Sequence, residues 1–438
     1  MSAKRILNIV ITVLLIINLC GCDFFTVDTE QLLNPPALTG DMKPIQEALS
    51  HSITGDYTLK YPSGGDYRSA VIMNDIDNDG MFEAFAFYSQ LDGDVNCMHI
   101  NTICRDGDDW VSVSDHKVDA GGVDSVDFSD LNSDGVMEII VGWEIYGSTD
   151  KQVAVYSFEN KTLLQRLIHP YTSFLCCDLD ENGENELFIH HFNAVEPINE
   201  ALLYTLENDG VVQLSGCAMD ITVKTVTEPI LSVLSTGQPA VYVDETKASG
   251  TVTEVLYMSK GTLVNPLLDS KTGENTRTIR TNAAPIADIN KDEIIEIPIT
   301  ELMLWAENTE NTEKVYYTNW CSFNGEKLVN QMTTLLNMTD GYYLKVPERW
   351  IGHISLVRDN EHRSRQIYAY NPEKKSIGAA LAYFVAVPLS GWDKFKENSM
   401  DIIEISRNDT YVFAGKVYNG EGALYITEDE LKEMFFLY

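Results

Sequence analysis

Three nine-residue segments of the sequence carry oxygen-bearing side chains at the same four places, the first, third, fifth and ninth positions. These residues are Asp75, Asp77, Asp79 and Glu83 in the first segment, Asp130, Asn132, Asp134 and Glu138 in the second, and Asp178, Asp180, Asn182 and Glu186 in the third. Calcium takes about six to eight oxygen ligands in a flexible shell, and one such segment supplies most of them. Side chains of this kind crowded together repel one another unless a cation lies between them. The spacing therefore predicts calcium-binding loops.

The sixth position of each of these segments is a glycine, at Gly80, Gly135 and Gly183. Glycine adopts backbone conformations that other residues avoid, so it permits the sharp turn that a compact loop needs. Such a turn directs the backbone carbonyl of the seventh residue toward the same cation. The glycines are therefore part of the predicted metal-binding pattern.

Two further segments extend the pattern along the chain. Residues 288–296 keep the polar positions and have Glu293 in place of the glycine. The polar residues of this fourth copy are Asp288, Asn290, Asp292 and Glu296. Because the sixth position is expected to need a positive φ, calcium binding by this copy stays open. Residues 232–240 form a fifth copy that keeps the glycine and lacks the carboxylates.

The copies are evenly spaced. Their sixth positions, 80, 135, 183, 237 and 293, are separated by steps of 55, 48, 54 and 56 residues. A near-constant step of this length predicts a repeat protein with one four-stranded unit per copy.

Two alternatives to this kind of calcium loop follow from the same residues. An EF-hand loop ends with a bidentate glutamate at its twelfth position. Here the twelfth positions are Ala86, Val141 and Ile189, and the residues around them are typical of strands and not of a helix. The EF-hand and the related dockerin are therefore excluded. Hairpin turns rich in Asp, Asn and Gly that bind no metal are the second alternative.

A loop of the type Asp-x-Asp-x-Asp-Gly-x-x-Glu that runs directly into a strand resembles the FG-GAP/VCBS repeat of integrin-type β-propellers. The resemblance covers residues 60–300 and implies a propeller with calcium between the first two strands of a blade. It implies three ions, one on Asp75, Asp77, Asp79, Glu83 and the carbonyl of Met81, one on Asp130, Asn132, Asp134, Glu138 and the carbonyl of Val136, and one on Asp178, Asp180, Asn182, Glu186 and the carbonyl of Glu184. The Phe-Gly and Gly-Ala-Pro half of the family pattern is represented by Ala284 and Pro285 alone.

Short runs rich in Val, Ile, Phe, Tyr and Thr, separated by turn residues, predict a mainly β fold. We predict a β-propeller of about five to six blades with calcium loops at residues 51–338 and a small α+β domain at residues 339–438. Thr427 and Glu430 form a capping box that predicts a helix in the second region. Alternatively, the first strands of that region close the propeller as a sixth blade. The arrangement resembles lipoproteins of Gram-positive bacteria of the clostridial type, and this resemblance implies no activity.

Residues 1–21 are predicted to be a lipoprotein signal peptide. Lys4 and Arg5 precede an apolar run that is too short to span a membrane. The run ends in Leu19-Cys20-Gly21-Cys22, which resembles the bacterial lipobox and implies cleavage before Cys22 and lipidation of its sulfur. We therefore expect a lipidated tether at residues 22–50 and anchoring at the extracytoplasmic face of the cell membrane. An ordinary secretory signal with a coincidental cysteine is the alternative.

The composition is strongly acidic, with 66 Asp and Glu residues against 31 Lys and Arg and a formal net charge of −35. Such a charge argues against binding to nucleic acid and against docking on anionic lipid headgroups.

The sequence contains no Gly-x-Ser-x-Gly, phosphate-binding or His-Glu-x-x-His motif. The adjacent His190 and His191 are expected to point to opposite faces of a strand. Enzymatic activity is therefore undecided, with a non-enzymatic role favoured.

The leading hypothesis is a monomeric cell-surface lipoprotein whose calcium-stabilised propeller is a binding or scaffolding module for an unidentified protein or carbohydrate. A propeller enzyme acting on polysaccharide is one alternative, and an accessory or sensory subunit of a membrane complex is another. A deep cleft with convergent carboxylates of perturbed pKa would favour the enzyme. A flat face with an exposed apolar patch would favour the binding module.

Overall fold

The computed structural model describes residues 42–91, 97–207, 210–303, 314–399 and 401–438. The predicted signal peptide, Cys22 and most of the predicted tether lie outside these residues. In the described part of the chain, the strands form six antiparallel sheets that follow one another along the sequence. The prediction of a mainly β protein is confirmed.

Each of the first three sheets is built from consecutive strands. The first sheet contains β1 (Tyr57–Leu59), β2 (Val71–Asn74), β3 (Glu83–Gln90), β4 (Cys97–Asp106) and β5 (Asp109–Asp119). The second contains β6 (Gly122–Ser129), β7 (Glu138–Glu144), β8 (Lys151–Glu159) and β9 (Thr162–Tyr171). The third contains β10 (Ser173–Cys177), β11 (Glu186–Asn193), β12 (Ile198–Glu207) and β13 (Gly210–Ala218).

The fourth sheet is also built from consecutive strands, whereas the fifth and sixth depart from chain order at one edge. The fourth contains β14 (Thr225–Val226), β15 (Ile230–Val233), β16 (Pro239–Lys247), β17 (Gly250–Ser259) and β18 (Thr262–Val264). The fifth contains β19 (Ile297–Leu302), β20 (Tyr316–Phe323), β21 (Leu328–Asn337), β22 (Tyr342–Lys345) and, at its edge, β28 (Phe435–Leu437). The sixth contains β23 (Ile354–Asp359), β24 (Ser364–Asn371), β25 (Ser376–Pro388), β26 (Ile403–Arg407) and β27 (Tyr411–Val417).

Three α-helices accompany the sheets in the described residues: α1 (Met42–Ser52), α2 (Trp392–Asn398) and α3 (Glu428–Glu433). Helix α3 begins at the predicted capping box, where the Thr427 hydroxyl accepts a hydrogen bond from the Glu430 N–H at 3.2 Å and the Glu430 carboxylate accepts one from the Thr427 N–H at 2.9 Å. Over these same residues, no helix combines the length and the apolar character that crossing a membrane requires.

Strand β7 shows how a central strand contacts two neighbouring sheets. Successive side chains of a strand point to opposite faces. Ile139, Val141 and Trp143 pack against the first sheet, whereas Ile140 packs against the third. Because both faces are buried, the strand reads in the sequence as an uninterrupted apolar run.

Hydrophobic clusters join the sheets in chain order. The clusters contain Phe85 and Val141 between the first and second sheets, Val155 and Ile189 between the second and third, Phe188 and Val241 between the third and fourth, Tyr242 and Phe323 between the fourth and fifth, and Leu344 and Phe384 between the fifth and sixth. Among the described residues, no hydrophobic cluster contains members of both the first and the sixth sheet.

Helices cover the outer faces at the two ends of this array. Ile45 and Leu49 of α1 pack against the face of the first sheet that points away from the second. At the other end, Trp392 of α2 packs against Val385 and Val412 of the sixth sheet. The first and last sheets therefore bury apolar surface against helices, as terminal repeats of stacked proteins must.

The predicted boundary between residues 338 and 339 falls between two paired strands. Strand β22, which follows the boundary, pairs with β21 and completes the fifth sheet. Strand β28 at the end of the chain returns to pair with the free edge of β22, after the sixth sheet has been formed. One hydrophobic cluster contains residues of the fifth sheet, the sixth sheet, α3 and β28. Residues 339–438 therefore share a core with the sheet that precedes them.

Candidate functional site

Each predicted calcium loop lies at the first hairpin of its sheet. Residues 75–83 connect β2 to β3, residues 130–138 connect β6 to β7, and residues 178–186 connect β10 to β11. The fourth loop, residues 288–296, leads into β19, and a single bridge between Ala287 and Glu296 takes the place of the first strand. The sequence repeat and the sheet repeat are thus in register.

The four loops share one pattern of hydrogen bonds. The N–H of the sixth residue donates to the aspartate at the first position at 2.9–3.1 Å in all four. The N–H of the seventh residue donates to the side chain of the fifth at 2.6–2.9 Å. The seventh residues are Met81, Val136, Glu184 and Ile294. The predicted side chains are therefore gathered around one turn in every copy.

Two positions of each loop have a positive φ. At the sixth position φ is 88° for Gly80, 87° for Gly135 and 90° for Gly183, and Glu293 of the fourth loop adopts 70°. The sixth position thus has a left-handed backbone in the fourth loop as well, although a side chain makes that conformation costly. The fourth position is also left-handed, at Asn78, Ser133, Glu181 and Lys291. Sequence reasoning missed this position, because the four residues have no common chemical property.

The glutamate at the ninth position is buried in every loop. The exposed fraction is 5% for Glu83, 2% for Glu138, 1% for Glu186 and 0% for Glu296. Each carboxylate accepts a hydrogen bond from the N–H of the second loop residue at 2.9–3.2 Å. Burial, helped by the neighbouring aspartates, raises the pKa of each of these four carboxyl groups to about 7. A buried carboxylate of this kind requires a proton or a cation.

Two of the loops form acidic clusters that could hold a metal ion. Ligand atoms of Asp75, Asp77 and Glu83 lie within 4.8 Å of one another, and so do those of Asp178, Asp180 and Glu186. In the first loop, one oxygen of Asp75 is buried and has no hydrogen-bond partner. An all-oxygen donor set with an unpartnered carboxylate oxygen suits a hard cation such as calcium.

The second and fourth loops carry asparagine at the third position. The Asn132 amide donates to Asp134 at 3.1 Å, and the Asn290 amide donates to Asp292 at 2.9 Å and to Glu296 at 3.1 Å. An amide donor between two acidic groups reduces their repulsion. At the four predicted ligand positions, these two loops therefore hold three carboxylates each, as the third loop does, against four in the first.

The second residue of each of the first three loops fills the space between sheets. Ile76, Leu131 and Leu179 are at most 2% exposed and belong to the clusters that join their own sheet to the next. The carbonyl of Ile76 accepts a hydrogen bond from the N–H of Met137 in the second loop at 2.8 Å. The carbonyl of Leu131 accepts one from Thr205 in the third sheet at 3.3 Å. The loops that gather the carboxylates therefore also hold neighbouring sheets together.

A buried polar network lies between the third and fourth sheets. The His190 ring is bonded to Asn199 at 2.8 Å, and Asn199 donates to Glu245 at 2.7 Å. Glu245 and Glu254 are completely buried. Burial, with a contribution from Asp220, raises the pKa of Glu254 to about 7, and burial, with a contribution from Glu254, raises the pKa of Glu245 well above its usual range. His191 lies on the opposite face, bonded to Glu200 at 3.2 Å. Sequence reasoning missed these glutamates, although Glu254 interrupts the run of strand residues from Gly250 to Ser259.

The first strands of the second and third sheets line an acidic cleft of about 550 Å³. Asp66, Asp124, Asp127 and Glu228 converge there. Burial raises the pKa of Asp127, with a contribution from nearby Asp66, and burial also raises the pKa of Glu228. Asp124 is paired with Lys151 at 2.6 Å. The cleft therefore holds carboxyl groups in two different electrostatic environments.

No protein-family model and no curated protein matches the chain. Similar solved structures include a protein from Lactobacillus plantarum, 10% identical over 72% of this chain and 84% of its own, with a TM-score of 0.29. They also include a rhamnogalacturonan lyase from Bacillus licheniformis, 10% identical over 73% of this chain and 76% of its own, with a TM-score of 0.31. TM-scores this low do not establish a shared fold, so the architecture rests on the sheets themselves.

Replacing a buried second loop residue should loosen the contact between sheets. We expect Leu131→Ala to lower the free energy of unfolding by about 2–5 kcal/mol, because it removes buried methyl groups and leaves a cavity. Urea denaturation followed by tryptophan fluorescence measures this loss. Leu164→Ala is the matched control, since Leu164 is 38% exposed on an edge strand of the same sheet. Equal losses for the two variants would contradict the assignment.

Proposed function

We propose that this protein is a calcium-stabilised binding or scaffolding module, anchored by lipid to the extracytoplasmic face of the membrane. The observation that carries the proposal is the repeated loop, which places a buried glutamate and its aspartates at the first hairpin of four sheets with one shared pattern of hydrogen bonds. Metal-free Asx turns would explain the hydrogen bonds of the aspartates. They do not explain why a glutamate is buried in every copy.

The proposed calcium ligands are the side chains at the first, third, fifth and ninth positions. Oxygen-only sites with several carboxylates prefer calcium to softer metals. The unpartnered oxygen of Asp75 and the convergence of Asp178, Asp180 and Glu186 support occupancy of the first and third loops. Glu293 of the fourth loop already adopts the left-handed conformation, so this loop is also a candidate. Calcium here would stabilise the fold and would not take part in a reaction.

The proposed architecture is an open, propeller-like array of six blades. Five consecutive sheets begin at the five copies of the sequence repeat, and each packs on the next in chain order. The sixth blade is formed by β23–β27. Because α1 and α2 cover the outer faces at the two ends, the first and last blades need not close on each other. The resemblance to FG-GAP/VCBS repeats agrees with this arrangement and stays a prediction.

Calcium should raise the thermal stability of residues 23–438. A ligand that binds the folded state at 100 times its dissociation constant contributes about 2.7 kcal/mol per site. We therefore expect the unfolding midpoint to rise by several degrees between calcium-free protein, prepared with a chelating resin, and protein in millimolar calcium. Differential scanning calorimetry measures the midpoint.

The triple variant Asp75→Ala, Asp130→Ala and Asp178→Ala should lose most of this response and keep at most the part that comes from the fourth loop. A control triple variant at the exposed positions Asp109, Glu196 and Glu421 removes the same charge outside the loops and should keep it. A midpoint that does not move at any calcium concentration would show that the loops are only turns.

The proposed lipid anchor is Cys22, and its loss should release the protein from the membrane. In a Gram-positive host we expect wild-type protein in the membrane fraction and a larger soluble share of the Cys22→Ser variant, because serine has no sulfur to carry the two acyl chains that stable anchoring needs. Immunoblots of the two fractions measure this distribution. A Cys20→Ser variant is the control, since Cys20 precedes the expected cleavage site. Membrane retention of Cys22→Ser would contradict lipidation.

A polysaccharide-degrading enzyme is the second candidate, and the acidic cleft favours it. Cleavage of a glycosidic bond uses a pair of carboxyl groups, one of them a general acid with a raised pKa, and burial raises the pKa of Asp127 in this cleft. In that case the protein should release reducing ends from a polysaccharide, and Asp127→Asn should abolish the release. Asp109→Asn is the control on an exposed strand end. Release that survives Asp127→Asn would exclude this cleft as the active site.

A further inference from the structure

The buried polar network continues the apolar contact between the third and fourth sheets. Phe188 and Val243 belong to the hydrophobic cluster that joins these two sheets. His190 and Glu245 each lie two residues further along the same strands, and residues two apart on a strand share a face. The network therefore occupies positions in the interface that apolar side chains fill elsewhere.

Two acids of the network, Glu245 and Glu254, share one face of neighbouring strands. Val243 is the direct partner of Glu254 in the pairing of β16 with β17, and Glu245 is two residues beyond Val243. The two carboxyl groups are therefore diagonal neighbours on the face that packs on the third sheet. Both residues are completely buried. Two carboxylates on one buried face repel each other, so at least one of them is far more stable with a proton.

The hydrogen bonds of these two acids come from neutral groups. The Asn199 amide donates to Glu245 at 2.7 Å. Glu254 accepts from the Asn275 amide at 3.2 Å and from the Asp220 N–H at 3.3 Å. The second oxygen of Glu245 is buried without a hydrogen-bond partner. Neutral donors leave the charge of a carboxylate in place, whereas a proton on the unpartnered oxygen removes it.

The lysine of the network is engaged by other acids. The Lys247 ammonium lies 2.6 Å from a carboxylate oxygen of Asp220 and 3.4 Å from one of Glu274. Lys247 also acts on Glu245 and lowers its pKa, but burial and the charge of Glu254 outweigh this effect, and the pKa of Glu245 stays well above its usual range. The lysine therefore does not replace the proton.

The titratable groups on the third sheet are neutral beside the two acids. His190 Nε2 lies 3.9 Å from Glu245, and burial lowers the pKa of His190 to about 4. Burial raises the pKa of the Cys217 thiol to about 12, with a contribution from Glu254. Behind the acids, Asp244 is adjacent to Glu245 in the strand, so it points to the opposite face, where it pairs with Arg280 at 2.7 Å.

The sign of the pH dependence follows from burial. Burial raises the pKa of Glu254 from 4.5 to about 7 and that of Glu245 well above 4.5. Above its ordinary pKa each group has lost its proton in the unfolded chain and still keeps it in the folded chain. Each retained proton makes the unfolding equilibrium constant rise about tenfold per pH unit, until the folded group also ionises. This network therefore stabilises the protein most in acid and least in alkali.

We propose that Glu245 and Glu254 form a proton-binding site that fastens the third sheet to the fourth when it is occupied and loosens their contact as the medium becomes alkaline. Loss of the proton leaves a second negative charge in the interface, and entry of water or separation of the sheets relieves it. The inference goes beyond the proposed binding role. It does not depend on calcium, because none of the proposed calcium ligands belongs to this network.

Glu245→Gln tests the proposal, because glutamine keeps the shape of the side chain and is neutral without a proton. Urea denaturation in millimolar calcium gives the unfolding equilibrium constant at about pH 5 and about pH 8. We expect the constant to rise at least about tenfold less in Glu245→Gln than in wild type, because the variant lacks one linked proton. Glu196→Gln is the matched control, since Glu196 is exposed in the turn between β11 and β12.

Hydrogen exchange followed by mass spectrometry locates the effect. At about pH 8, amides of β11, β12, β16 and β17 should exchange faster in wild type than in Glu245→Gln, because local opening of this contact exposes them. Amides of β7, which lies between the first and third sheets, should exchange equally in the two proteins. Both proteins are compared at the same pH, so the intrinsic exchange rate is the same.

Three results would overturn the proposal: an equal rise of the unfolding constant in wild type and Glu245→Gln, an equal reduction of that rise in Glu196→Gln, or a change in exchange that is uniform over all sheets. If Glu245→Gln does not fold, Glu254→Gln is the second variant. The same reduction is expected there, and the pH dependence of wild type in that variant would also reject the site.

The test is separable from that of the calcium loops. The four loop glutamates are present in wild type and in the variant, so their part of the pH dependence cancels in the comparison. The difference between the two proteins should stay the same after calcium is removed with a chelating resin. A proton effect without a calcium response would leave this site assigned and reject the loops, and a calcium response without a proton effect would do the reverse.

Discussion

The glutamate that ends each loop has to be buried for the sheets to pack, and the rest of the structure depends on this constraint. Its carboxylate holds the N–H of the second loop residue, whose side chain in the first three loops is a buried apolar residue between two sheets. Burying a carboxylate without a counter-charge opposes folding. Whatever neutralises Glu83, Glu138 and Glu186 therefore also determines how firmly neighbouring sheets are joined.

The fourth sheet meets the same requirement with side chains in place of a loop. Its first hairpin has no carboxylates, and two of the buried acids beside it are paired with bases: Asp220 with Lys247 at 2.6 Å, and Asp244 with Arg280 at 2.7 Å. The other two, Glu245 and Glu254, have raised pKa values instead. Arg280 is completely buried in the segment between β18 and β19. Lys247 and Arg280 thus supply positive charge beside the fourth sheet, whose first hairpin has no carboxylate ligands for a metal ion. Carboxylate loops thus serve the first three sheets and the fifth, and side-chain ion pairs serve the fourth.

The sequence predicts the parts of this structure that depend on residue type at fixed spacing. The aspartates, the turn glycines and the apolar strand that follows each loop are visible without coordinates, and they fall at the first hairpin of each of the first three sheets. The left-handed fourth position is not visible, because Asn78, Ser133, Glu181 and Lys291 adopt it through the geometry of the turn alone. The return of β28 to the fifth sheet is not visible either, since pairing between strands far apart in the sequence leaves no local pattern.

The pairing of Arg358 with Arg365 illustrates the same limit in the sixth sheet. They are seven positions apart in the sequence, and only the register of β23 on β24 brings them opposite each other. At the first three junctions, a buried loop residue fills the space between sheets, so a change there would disturb both a loop and a core. No loop of this type leads into the sixth sheet, which is joined to the fifth through a cluster that contains Leu344, Leu356 and Phe384. The last junction therefore depends on side-chain packing that the sequence repeat does not reveal.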